Sequence, residues 1–213
     1  MENYIKVTNV SKKIKGQLVL KDIFLNINSH TIVGLVGENG SGKTMLLRAL
    51  AGLIEVDEGS IQINESIIGK KIDFPPKTGI IIENVGLWEY MTGFKALKLL
   101  ASINNLITED DIKETMIRVG LDPNDKRHIS KYSLGMKKRL MIAQAIMEKP
   151  DLLLLDEPTS ALDDDGIKLF YNIVKEEQER GATIVLASHL KDDIDLLCDT
   201  IYRLDHGKVE KLK

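Results

Sequence analysis

Residues 37–44 read Gly37-Glu38-Asn39-Gly40-Ser41-Gly42-Lys43-Thr44. A glycine, four free positions and then Gly-Lys-Thr is the spacing of a phosphate-binding loop. Each residue type has a physical reason to be there. Glycines carry the backbone through positive φ and let it approach an anion closely. The successive N–H groups of Asn39, Gly40, Ser41 and Gly42 then form an anion nest at the start of a helix. Lys43 is placed to bridge the β- and γ-phosphates, and Thr44 to set its hydroxyl on Mg²⁺. A Gly-rich turn by itself binds nothing, so the flanks matter. Residues 31–36 (TIVGLV) are a short apolar run that ends at Gly37, as a buried strand would. After Gly42, Leu46, Leu47, Leu50 and Ala51 recur at helical spacing, and Gly52 stands where a helix stops.

Outward from this loop, strand and helix signals alternate, which predicts an α/β domain with a largely parallel sheet. Residues 3–10 and 18–28 alternate like strands around Gly16, and 60–82 read as further strands broken at Asn64-Glu65 and Pro75-Pro76. Residues 93–148 carry three helical patterns and no convincing strand. Two buried-strand runs follow, 151–156 (DLLLLD) and 182–187 (ATIVLA), with a helix at 164–180 between them. A short helix at 190–197 leads to a strand pair turning at His206-Gly207. The organisation expected is one domain over 1–213, with a helical insert at 86–148 inside the α/β core.

The bulk properties limit the function classes. With 213 residues the chain can build one sizeable domain. A formal charge of −3 gives no strong basic field, so a nucleic-acid backbone is not an expected partner. A single cysteine, Cys198, excludes an internal disulfide and suits a reducing cytoplasm. The first residues, MENYIKVTNV, do not read as a signal peptide, and no apolar run approaches membrane-span length. Any membrane role would come through a partner chain.

The run Leu152-Leu153-Leu154-Leu155 ends in two acids, Asp156 and Glu157. Buried carboxylates are costly unless paired or metal-bound. Solvated acids at a strand end are the ordinary explanation. Coupled to the loop at 37–44, the pair reads instead as Asp156 holding Mg²⁺ and Glu157 polarising an attacking water.

Further motifs follow in order. Tyr132-Ser133-Leu134-Gly135-Met136 lies between the two sites, followed by the basic run Lys137-Lys138-Arg139, expected to be a solvated helix face. Pro158-Thr159-Ser160-Ala161-Leu162-Asp163 follows the acids, and the strand at 182–187 ends in Ser188-His189. Taken together and end to end, the chain resembles the ATP-binding cassette family of transporter ATPases. The resemblance implies a RecA-like phosphate-loop NTPase core, an antiparallel β subdomain and an α-helical insert carrying the signature motif. It implies ATP and Mg²⁺ as cofactors and a head-to-tail pair of cassettes. In that pair Ser133 and Gly135 would meet the γ-phosphate of ATP held by the partner. His189 resembles the switch histidine on the γ-phosphate, and Asp163 the D-loop aspartate that couples the two sites. Taken alone, Ser133 reads as a helix N-cap and His189 as a capping or packed histidine.

The chain departs from the family pattern in three places. The aromatic that stacks on adenine should fall near Ile14, and none stands there, which weakens base stacking and base selectivity. Glu83 occupies the usual glutamine position after the strand at 79–82. A negative charge there suits a face toward Mg²⁺, water or a cation. A glutamate here resembles the cassettes that handle bacitracin-like and lantibiotic peptides. The signature reads Ser-Leu-Gly-Met, keeping the serine and second glycine that would touch phosphate. The resemblance implies a peptide or drug exporter, its ATPase working as a homodimer on the cytoplasmic face beneath a separate integral membrane permease. Trp88 and Tyr90 are candidate anchors for that partner. A soluble cassette serving translation or chromosome maintenance is the alternative.

Overall fold

A computed structural model of the chain describes residues 3–82 and 88–213. The described strands form two sheets. The first is antiparallel and contains β1 (Asn3–Ile14), β2 (Gln17–Asn28), β4 (Glu58–Ile63) and β5 (Ser66–Ile67), in the order β2-β1-β4-β5. The second contains β3 (Ile32–Val36), β6 (Thr78–Ile81), β7 (Leu152–Asp156), β8 (Thr183–Ala187), β9 (Thr200–Asp205) and β10 (Lys208–Lys211), in the order β10-β9-β3-β8-β7-β6. Its first five strands in sequence pair in parallel, and β10 closes the edge antiparallel to β9. The β9–β10 turn has His206 at φ 46° and Gly207 at φ 77°, the two left-handed residues a tight hairpin needs.

The apolar runs read from the sequence are buried on both faces, and the pleat divides them between two cores. Leu153 and Leu155 of β7, with Ile184 and Leu186 of β8, face one cluster. Leu152 and Leu154, with Val185 and Ala187, face the other. This is why these strands show no polar alternation. Each fully buried leucine contributes on the order of 1.5–3 kcal/mol.

The second cluster packs the antiparallel sheet and α1 (Lys43–Leu50) against the central sheet. The first cluster is covered by α2 (Gly93–Asn104), α3 (Glu109–Arg118), α4 (Leu134–Ile146), α5 (Asp164–Glu179) and α6 (Lys191–Leu197). Leu97, Met116 and Leu140 of the helical stretch share this core with Leu153 and Ile184 of the sheet. Helix α4 lies so close to β6 that a Cβ on Gly79 would fall 2.0 Å from the Ala145 carbonyl oxygen. Only glycine permits that approach.

The caps match the helix boundaries. Thr92, Thr108, Ser133 and Asp163 each accept a main-chain N–H at the start of α2, α3, α4 and α5. Helix α1 differs: its N-cap is Gly42, with no side-chain cap and no acid in its first turn.

Candidate nucleotide site

The uncapped N-terminus of α1 lies at the end of β3, where Gly37, Gly40 and Gly42 have φ of 153°, 81° and 110°. A Cβ on Gly37 would come within 2.2 Å of the Leu204 carbonyl oxygen, so sterics and φ both demand glycine there. Within this loop the Ser41 amide donates to the Glu38 carbonyl at 3.1 Å, and the loop ends at a helix N-terminus, where main-chain N–H groups favour an anion. The Ser41 hydroxyl is buried in this loop with no hydrogen-bond partner among the described residues. An orphan of this kind is costly in a finished core and fits a site completed by a ligand.

Lys43 is only 6% exposed. Its ammonium donates to the Gly37 carbonyl at 2.7 Å and the Glu38 carbonyl at 3.0 Å. Among the described residues no carboxylate pairs with it. The buried charge is therefore held by loop carbonyls and is available to phosphate. The Thr44 hydroxyl donates to Asp156 Oδ2 at 2.6 Å. This bond joins the loop to the end of β7 and sets two hard oxygen ligands side by side. Among the described residues no group of three or more His, Cys, Asp or Glu side chains converges on a metal position. The Thr44–Asp156 pair therefore suits Mg²⁺, which takes one or two protein oxygens and fills its shell with phosphate and water.

Glu157 adopts φ 46°, a left-handed conformation uncommon for a residue with a side chain. It is over-determined by its contacts. Its amide donates to the Ala187 carbonyl at 2.9 Å. Its carbonyl accepts from the Ser160 hydroxyl at 2.8 Å and the Lys138 ammonium at 3.0 Å. Its carboxylate Oε2 lies 2.7 Å from Nδ1 of His189. The structure thus brings Glu157 and His189 together at the adjacent ends of β7 and β8.

A cavity of about 480 Å³ runs over the loop, lined by Ile14, Gln17, Gly40, Lys43, Asp156 and Glu157 among others. Ile14 opens onto the same cavity as the phosphate loop, where the base of a nucleotide would extend. His189 lines a neighbouring cavity of about 830 Å³ with Gly37 and Glu38.

The remaining candidates are placed differently. Ser133 caps α4, accepting from the Met136 amide at 3.2 Å, and the next residue, Leu134, is 74% exposed. Gly135 lies against the loop after β7, where a Cβ would stand 3.1 Å from the Ala161 carbonyl oxygen. Neither Ser133 nor Gly135 lines the phosphate-loop cavity. Asp163 caps α5, accepting from the Gly166 amide at 2.9 Å, and also accepts from Arg139 at 3.1 Å. These two contacts, the Gly166 amide first, hold its carboxyl below the usual aspartate range. Glu83, with Gly86 and Leu87, lies outside the described residues. Trp88 and Tyr90 are 37% and 67% exposed.

The basic run 137–139 is not a solvated face. Lys138 is 7% exposed, while Arg139 pairs with the exposed Asp163 at 3.1 Å and Lys137 with Glu89 at 2.8 Å. Burial lowers the Lys138 pKa, and the charges of Asp156 and Glu157 oppose that shift. The missed signal is periodicity: Lys138 lies one and two turns before the buried Ile142 and Ala145. Asp193, one of two adjacent acids, carries no sequence signal of its role. It is 0% exposed and accepts hydrogen bonds from Thr159 at 2.7 Å, Ser188 at 2.6 Å and Tyr171 at 2.7 Å. It therefore joins the segments that follow Glu157 and precede His189. Burial, followed by Asp193, raises the Tyr171 hydroxyl well above the ordinary tyrosine range.

The ABC transporter family profile matches residues 20–160. The ABC transporter ATP-binding protein YybJ of Bacillus subtilis (strain 168) is 50% identical over 206 residues, covering 97% of this chain and 94% of that protein. The bacitracin transport ATP-binding protein BcrA of Bacillus licheniformis is 35% identical over 211 residues, covering 98% of this chain and 69% of that protein. A solved ATP-binding subunit of an ABC transporter superposes with a TM-score of 0.88 at 27% identity, covering 99% of this chain and 90% of that one. The chain belongs to the ABC transporter family, among its ATP-binding subunits.

Proposed function

We propose that this chain binds Mg-ATP and hydrolyses it to drive a membrane permease carried on a separate chain, in an exporter of peptides or drugs. The observation that carries the reading is the junction of two distant sequence signals. The Thr44 hydroxyl rests on Asp156 at 2.6 Å, with buried Lys43 beside it on the loop.

The amides of Gly37, Asn39, Gly40, Ser41, Gly42 and Lys43 cradle the triphosphate, and the Lys43 ammonium leaves its carbonyl acceptors for the β- and γ-phosphates. Thr44 and Asp156 would hold Mg²⁺, and Glu83 is a further candidate ligand for it. When bound, the ion neutralises charge on the phosphate oxygens. Glu157 accepts a proton from, or orients, the attacking water. His189, already 2.7 Å from Glu157, fixes that carboxylate and reaches toward the γ-phosphate. Because Ser133 and Gly135 lie away from the loop cavity of their own chain, they act on nucleotide held by a second copy, with Asp163 near the seam. The segment 86–148 forms the helical subdomain that presents them.

No helix among the described residues is long and apolar enough to cross a membrane. In this reading the chain sits at the cytoplasmic face of the membrane through the permease, and exposed Trp88 and Tyr90 are candidate anchors for it. Export of a peptide or drug is favoured by the likeness to BcrA and by Glu83.

The test is Glu157→Gln. It keeps the shape and removes the base. Turnover should fall on the order of 10²–10⁴-fold while ATP binding persists, and an ATP-held dimer should accumulate on gel filtration. A variant that turns over at the parent rate would refute the choice of base.

A further inference from the structure

Glu157 is held in an unfavourable backbone conformation, and its carbonyl is where the holding groups meet. Two of the three donors to that oxygen belong to Ser160, through its hydroxyl at 2.8 Å and its amide at 3.3 Å. These are local to the loop. The third, the Lys138 ammonium at 3.0 Å, comes from the first turns of α4 and is the one charged donor among them. Lys138 is buried, and its charge lies near both Asp156 and Glu157. A lysine stem placed in the interior is stable only if its ammonium finds acceptors. Here the acceptor is the main chain of the proposed catalytic acid.

From this placement we infer that Lys138 is a positioning residue for hydrolysis. It fastens the helix that Ser133 caps to the backbone of Glu157 and so fixes where the Glu157 carboxylate points. The inference rests on the ATPase reading above and deepens it. Lys138 touches neither nucleotide nor water in this role. It acts through Glu157, whose φ of 46° it helps to hold together with Ser160 and the Ala187 carbonyl. A small misplacement of a catalytic group is costly in rate, and ATP affinity is set elsewhere, at the phosphate loop.

The experiment compares Lys138→Met, Lys138→Gln and Lys138→Arg with the parent. Methionine keeps the apolar stem without charge or donor, glutamine is neutral and shorter, and arginine restores charge and donors. Steady-state ATPase kinetics and thermal melting are measured on all four. The Met and Gln variants should lose on the order of tenfold to a hundredfold in kcat, with KM for ATP within about twofold of the parent. The Arg variant should recover most of the lost kcat. If Met does not fold, the Gln and Arg pair decides by the same criteria. A folded Met or Gln variant with kcat within about twofold of the parent would overturn the inference alone, as would an Arg variant no better than Met. A parent without ATP turnover would overturn the ATPase reading and this inference with it.

Discussion

Ile14 ends β1 and lines the same cavity as Gly40, Lys43 and Asp156, so its side chain is available to the face of a base held over the loop. Isoleucine offers dispersion contact but no ring to stack. Ile14→Tyr should therefore tighten ATP binding by about 0.5–1.5 kcal/mol, or roughly twofold to tenfold in Kd, with a smaller change in kcat. Titration calorimetry with ATP checks this, and an unchanged Kd would place the base away from Ile14. Among single residues, legibility followed locality. Lys43, Thr44, Asp156 and Glu157 could be read because fixed spacing and strand-end acids have few ordinary explanations. Lys138 could not, because a basic residue in a basic run looks solvated until its position on the buried stripe of α4 is considered. Asp193 was hidden for the same reason: its neighbour Asp192 is an exposed acid, and only one of the pair faces inward.

Elements were legible where both faces of a strand are buried, as at Leu152–Asp156 and Thr183–Ala187, because their uninterrupted apolar runs have no helical stripe. The sequence could not show which segments the strand ends bring together. Asp193, at the start of α6, makes that connection by accepting from Thr159, Ser188 and Tyr171, three hydroxyls on separate segments. Asp193→Ala would leave two buried donors, Thr159 and Ser188, without their acceptor, each costing on the order of 1–3 kcal/mol, and the half-buried Tyr171 hydroxyl with them. The expected result is a loss of several kcal/mol, partly relieved by entering water. For a chain of this size each kcal/mol lowers Tm by roughly 2–4 °C. Thermal melting should therefore show a fall of about 10 °C, whereas Asp192→Ala beside it should melt within about a degree of the parent. Equal melting of the two variants would mean that the hydroxyls find other acceptors.

At the scale of the whole molecule, the two halves of the proposed chemistry do not meet within one chain. The phosphate loop opens onto a cavity that Ser133 and Gly135 do not line, while Leu134 between them is 74% exposed. An apolar side chain left open beside a helix N-terminus is compatible with burial against a second copy. In a two-fold dimer every surface contact occurs twice, so the proposed arrangement would give two composite sites, each with one chain's loop and the other's signature. That geometry makes a prediction a one-chain site cannot share. Lys43→Ala disables a chain's loop and Ser133→Arg blocks its signature, so each variant alone should be inactive. Mixed together, the dimer of one of each has one site with both defects and one with neither. Random pairing makes half the dimers mixed, so the mixture should recover roughly a quarter of parent turnover at equal total protein. ATPase assays on the two variants, separately and mixed, measure this. A mixture no more active than its components would rule out shared sites that work independently.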